Sequence, residues 1–197
     1  MKKLRYFYGT MASAKSSNLL MKAHQFETSG GECLLFKPSV DTRVKGKIYS
    51  RIIPSRDCIT IGEKDNIVKI VYDIEDFYLS KPDFIFVDEV QFLTKKQIQQ
   101  LWYLAHKYEI DVYCYGLKLD YKNQLFPAAE ELLIMADTVE EIKSKCCYCS
   151  KKATTHLRYV NGEVIKQGET INIDNIFKNK EIVEEYKSVC QDCWQEA

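Results

Sequence analysis

The chain of 197 residues lacks net charge: lysine plus arginine, and aspartate plus glutamate, each number 28. Without excess positive charge it gains nothing from the field of a polyanion, so composition does not favour nucleic acid as a partner. It also lacks any run of about 18 apolar residues, the length a helix needs to cross a bilayer, which argues against a membrane partner. Met1 to Tyr8 holds two lysines and a short aromatic stretch but no apolar core of an export signal. These absences point to a cytoplasmic protein. Internal repeats and low-complexity segments are missing too, and 46% apolar with 28% charged residues is an ordinary globular balance. The length suits one medium α/β domain with a small appendage.

What the chain does have is cysteine, eight in all. Cys33, Cys58, Cys114 and Cys147 follow no pattern. Cys146-x-x-Cys149 and Cys190-x-x-Cys193 form two knuckles. In a chain read as cytoplasmic, such pairs point to metal ligands ahead of disulfides, free buried thiols or a redox pair. Four thiolates are what a closed tetrahedral Zn²⁺ requires, and such an ion would staple a lobe with little core of its own.

Apolar runs alternate with amphipathic stretches before these knuckles. Leu4–Tyr8, Glu32–Phe36, Phe84–Val87 and Asp111–Tyr115 read as strands; the run Phe-Ile-Phe-Val at 84–87 has no polar face, as in a strand buried on both sides. Helical spacing runs from Ser16 to about Phe26 and from Ala128 to Ala136. Thr94-Lys95-Lys96-Gln97 forms a capping box ahead of the stripe Ile98, Leu101, Trp102, Ala105. Residues 40–80 show short β-like runs and no firm helix. The alternation predicts a mainly parallel sheet flanked by helices. A change of texture near Lys143 separates an α/β domain, 1–143, from a small β-rich zinc domain, 144–197. The latter opens with a hairpin, Thr155–Val160 and Glu163–Ile165 joined by Asn161-Gly162.

Strand Leu4–Tyr8 runs into Gly9-Thr10-Met11-Ala12-Ser13-Ala14-Lys15-Ser16, one residue from the phosphate-loop pattern G-x-x-x-x-G-K-[ST]. A strand before it and a helix after it are the context the motif needs. Backbone N–H groups and the helix N-terminus would surround a β-phosphate, Lys15 would reach the β/γ oxygens of ATP and Ser16 would ligate Mg²⁺. Ala14 stands where glycine is usual, so nucleotide binding is expected to be weakened, not abolished. The strand Phe84–Val87 ends in Asp88-Glu89: Asp88 would hold Mg²⁺ through water, and Glu89 is a candidate general base.

Together these residues resemble the type II thymidine kinases, a family with a RecA-like P-loop domain and a zinc-bound lasso domain. The matching pieces are Tyr8-Gly9-Thr10-Met11 with Lys15-Ser16, Asp41-Thr42-Arg43, Asp88-Glu89-Val90-Gln91-Phe92, Gly116-Leu117, Asp120-Tyr121, Phe126, Ala136-Asp137 and both knuckles with Tyr186. The resemblance implies transfer of the ATP γ-phosphate to the 5′-hydroxyl of thymidine or deoxyuridine, with Glu89 as base and Arg43 steadying the phosphoryl group. Met11, Phe92, Leu117, Tyr121 and Phe126 would wall the base pocket and Tyr186 would reach it from the lasso. It further implies a homotetramer and feedback binding of dTTP. Three features depart from the family: Ala14, an Ile173-Asp174-Asn175 stretch (with extra residues following) where the family has a glycine pair, and His156. That histidine stands where the family has a small polar residue facing the base 5-methyl group, or else is a hairpin residue facing solvent. These departures support a second reading, a nucleotide-binding paralogue acting as a sensor or on a different nucleoside.

Overall fold

The computed structural model describes residues 2–74, 81–168 and 183–197. In chain order the elements are β1 (Leu4–Tyr8), α1 (Lys15–Thr28), β2 (Cys33–Pro38), β3 (Lys47–Ile48), β4 (Arg56–Asp57), β5 (Ile59–Ile61), α2 (Ile67–Tyr72), β6 (Phe84–Val87), a 3₁₀ turn (Val90–Phe92), α3 (Lys95–Lys107), β7 (Asp111–Gly116), α4 (Pro127–Met135), β8 (Thr138–Glu141), β9 (Thr155–Val160), β10 (Glu163–Ile165), β11 (Glu184–Val189) and α5 (Gln191–Glu196).

The main sheet has six strands in the order β5-β2-β6-β7-β1-β8, all pairings parallel. Alternation along its strands explains the two layers, because successive side chains leave a strand on opposite faces. Tyr6, Ile85, Val87, Val112 and Cys114 join one buried cluster with Ile67 and Val71 of α2, Ile98, Leu101 and Ala105 of α3, and Leu132 of α4. Phe7, Phe86, Tyr113 and Tyr115 join the other, against Leu19, Leu20 and Ala23 of α1. The Thr94 capping box forms as its sequence predicts, its hydroxyl accepting from Gln97 N and the Gln97 side chain from Thr94 N.

Helix α2 is the element its own residues conceal. Ile67, Val68, Ile70 and Val71 are β-branched and favour strand, yet Asn66 caps the turn by accepting from Lys69 N, and Ile67 and Val71 are fully buried. Packing overrides propensity here.

A second sheet, β10-β9-β11, is antiparallel. Its hairpin turns at Asn161 (φ 51°) and Gly162 (φ 87°), the positive-φ pair a two-residue turn demands. Leu157, Val189, Cys146 and Cys190 form its small buried cluster. The lobe meets the segments that follow β7 and β1, where Trp194 Nε1 donates to Tyr121 O at 3.1 Å and where Thr10 and Ser144 share a hydroxyl contact. Among the described residues no helix is long and apolar enough to cross a membrane.

Candidate active site

Parallel strands deliver their carboxyl ends to one edge of a sheet, where open α/β folds place ligands. Four such ends meet here, those of β1, β2, β6 and β7. After β1 the loop turns back on itself so tightly that a Cβ on Gly9 would lie 2.5 Å from Ser13 Oγ and 2.6 Å from Ile142 O. Ala12 (φ 57°) and Ala14 (φ 62°) both take the left-handed conformation, at about 1–2 kcal/mol each for a residue with a side chain. The departure at Ala14 therefore carries its cost in the backbone conformation itself. Lys15, 7% exposed, folds back to donate to Gly9 O (3.2 Å) and Thr10 O (2.7 Å). Burial pushes its ammonium below the ordinary lysine range, against the pull of the Glu89 and Asp88 carboxylates.

At the end of β6, Asp88 Oδ2 accepts from Ser16 Oγ at 2.8 Å, while Oδ1 is buried with no partner. Burial, then the neighbouring Glu89 charge, push the Asp88 carboxyl up to about 7. An orphaned carboxylate oxygen beside a hydroxyl is an oxygen-donor set of the kind Mg²⁺ accepts.

Glu89 takes a left-handed backbone (φ 49°). Its Oε1 accepts from Arg43 Nη2 at 2.5 Å and its Oε2 from Gln91 Nε2 at 2.6 Å. Gln91 is itself fixed, its Oε1 accepting from Leu117 N at 3.0 Å. Arg43 is held two-pronged by Asp41, Nε to Oδ1 at 2.7 Å and Nη2 to Oδ2 at 3.0 Å. Behind Asp41 lies Lys37, 1% exposed, with Nζ 3.5 Å from Asp41 Oδ2 and bonded to Val44 O. Residues from β2, β6 and β7 thus aim one carboxylate and one guanidinium at the space beside the loop.

Of the apolar residues that the sequence singled out, four pack together. Leu117 and Phe126 are buried in the main cluster, with Met11 and Phe92 packed against it; Phe92 and Phe126 meet edge-on at 6.0 Å. Tyr121 carries the Arg158 guanidinium over its ring at 5.1 Å. Arg158 pairs with Glu184, and the Tyr186 hydroxyl donates to the same Glu184 oxygen at 2.9 Å. Tyr186, Glu184, Arg158 and Tyr121 thus form one linked run of contacts. His156 does not face solvent: it is 3% exposed, and its Nε2 accepts from Met11 N at 2.8 Å. Burial pushes the imidazole down to about 3, so it is neutral with its proton on Nδ1. The Ile173-Asp174-Asn175 stretch lies outside the described residues.

The sulfurs of Cys146, Cys149, Cys190 and Cys193 all lie within 4.8 Å of one another, with Cys149 Sγ 3.6 Å from that of Cys190 and 3.8 Å from that of Cys193. Zinc–sulfur bonds of about 2.3 Å in a tetrahedron put the sulfurs about 3.8 Å apart, so this cluster fits zinc as it stands. Burial alone would raise the Cys146 thiol, but N–H donors from Tyr148, Cys190 and Cys149 bring it down to about 6, toward the thiolate a metal binds. Exposed Cys147 stands apart from the four.

Sequence reasoning assigned no role to Gln91, Lys37, Arg158, Glu184 or Ser188. Only Gln91 carried a signal, lying inside the Asp88–Phe92 segment. The others act through partners brought near by folding.

A family model described as thymidine kinase matches residues 2–194. The thymidine kinase of Francisella tularensis subsp. tularensis is 36% identical over 197 residues, covering 100% of this chain and 98% of the relative. Those of Lactococcus lactis subsp. lactis and Streptococcus agalactiae are 38% and 37% identical over 174 residues, covering 88% of this chain and 90% of each relative. With the match running through the Gly9–Ser16 loop, the Asp88-Glu89 strand end and both cysteine knuckles, the chain belongs to the thymidine kinase family.

Proposed function

We propose that Glu89 is the general base of this thymidine kinase and that Gly9–Ser16 holds the ATP triphosphate. The observation that carries this is Glu89 bonded to Arg43 at 2.5 Å beside the loop, a proton acceptor next to a cation at the edge where the strands end. The thymidine 5′-hydroxyl enters between Glu89 and the loop. Glu89 takes its proton as the oxygen attacks the γ-phosphorus and the bond from that phosphorus to the β–γ bridging oxygen breaks, ADP leaving, while Arg43 neutralises charge growing on the transferring group. Lys15 leaves the Gly9 and Thr10 carbonyls for the β/γ oxygens, since anionic oxygens attract an ammonium more strongly than neutral carbonyls do. Gly9, Thr10, Met11, Ala12, Ser13 and Ala14 shape the N–H cradle.

Ser16 and Asp88 are the residues that would hold Mg²⁺, which supplies charge neutralisation at the β- and γ-phosphates. Met11, Phe92, Leu117, Tyr121, Phe126, His156 and Tyr186 form the nucleoside wall. Cys146, Cys149, Cys190 and Cys193 hold a structural Zn²⁺ in a lasso domain spanning 144–197, joined to a kinase domain spanning 1–143. We assign the enzyme to the cytoplasm as a homotetramer subject to feedback by dTTP, on the family resemblance.

The test is ATP-dependent phosphorylation of a nucleoside panel by zinc-replete protein with Mg²⁺. Conversion of thymidine or deoxyuridine to the 5′-monophosphate is expected. Turnover of neither, with ATP still bound, would overturn the reading.

A further inference from the structure

Met11 lies in the turn between β1 and α1, and both polar groups of its backbone are held by side chains of the small sheet. Its N–H donates to His156 Nε2 and its C=O accepts from Ser188 Oγ, each at 2.8 Å. His156 on β9 and Ser188 on β11 are cross-strand partners in the antiparallel register. One rung of the zinc lobe thus grips one residue of the phosphate loop, across 145 and 177 positions of sequence. Both gripping side chains are buried.

The grip has a physical reason in the loop itself. Glycines adopt left-handed backbone at no steric cost, but here alanines do so at positions 12 and 14. Left alone, such a loop drifts toward the basins a Cβ prefers, and its N–H groups lose their common aim. Ala12 follows Met11 directly, so fixing both sides of the Met11 residue restrains the first strained position.

We propose that His156 and Ser188 are positioning residues that hold the alanine-bearing phosphate loop in its anion-binding shape, making the zinc lobe a working part of the ATP site. The inference rests on the assignment of the Gly9–Ser16 loop to ATP. His156 suits the task because only a neutral imidazole presents an acceptor at Nε2, and its burial keeps it neutral.

The experiment is calorimetric titration of the full-length, zinc-replete protein with Mg·ATP, without nucleoside. His156→Leu and Ser188→Ala are each expected to weaken ATP about fivefold, the factor one neutral hydrogen bond is worth. His156→Gln, whose amide oxygen can accept from Met11 N, is expected to recover affinity to within about twofold, and Ser188→Thr likewise. The His156→Leu/Ser188→Ala double variant should lose less than the product of the two singles, since both bonds restrain the same residue. Lys15→Ala serves as control and should abolish binding. Wild-type affinity in both single variants, with Lys15→Ala inactive in binding, would overturn the grip and leave the loop assignment standing. A loss in His156→Leu that glutamine does not recover would also overturn it. Wild-type affinity in Lys15→Ala would instead remove the loop assignment beneath it.

Discussion

Glu89→Gln removes a proton acceptor while keeping the shape of the side chain, but the surroundings make it more than an isosteric change. Both carboxylate oxygens receive hydrogen bonds, from Arg43 and from Gln91. A glutamine offers one acceptor and one donor, so its amide nitrogen must face a donor on one side. Gln91 cannot invert to relieve the conflict without losing its bond from Leu117 N. One charge-assisted bond is forfeited, worth about 1.5–3 kcal/mol. A chain of this size, at about 2–4 °C per kcal/mol, should then melt roughly 3–12 °C lower. Loss of the base should lower kcat by about 10²- to 10⁴-fold, while ATP affinity, set by the loop, stays near wild type. The two effects separate in the Glu89→Gln/Gln91→Glu double variant. There the carboxylate introduced at position 91 can accept both from Leu117 N and from the amide introduced at position 89. Part of the melting temperature therefore returns while turnover does not. Steady-state kinetics beside scanning calorimetry decide the matter. A single variant with undiminished kcat refutes the general-base role, and a double variant that regains turnover shows that Glu89 serves only to position its neighbours.

Ala14→Gly relieves a left-handed backbone (φ 62°) but adds freedom to the unfolded chain, so stability should rise by no more than about 1 kcal/mol; calorimetry should also show ATP bound more tightly, and equal affinity would show that the loop is already in its binding shape. His156 titrates near 6.5 when unfolded and at about 3 in the fold. A base whose folded pKa is depressed contributes stability that is full above pH 6.5 and is lost as pH falls toward 3. Chemical denaturation between pH 6.5 and 5 should therefore show a loss of roughly 1–2 kcal/mol that His156→Gln does not share. Metal analysis should find one zinc per chain, unchanged in Cys147→Ser and lost with a drop in melting temperature in Cys190→Ser, because Cys147 lies outside the cluster of four sulfurs.

Local chemistry by itself determined much of this protein. The alternation that puts Ile85 and Val87 on one face and Phe86 on the other is written in four consecutive residues. The Thr94 capping box, the Asn161-Gly162 turn, the Gly9–Ser16 turn between β1 and α1 and the cysteine knuckles each depend on spacings of a few positions. Only the tertiary structure decided the rest. Strands β8 (Thr138–Glu141) and β11 (Glu184–Val189) are too polar to announce themselves, and each forms because a partner edge, β1 or β9, satisfies its backbone. Helix α2 exists because α3 packs against a run that would otherwise favour strand. The Lys37–Asp41–Arg43–Glu89 chain and the hold of His156 and Ser188 on Met11 join residues from separate elements. Periodicity and motif spacing act within a few residues of chain, whereas hydrogen-bond partners and the solvation of a buried charge are set by whatever folding brings near.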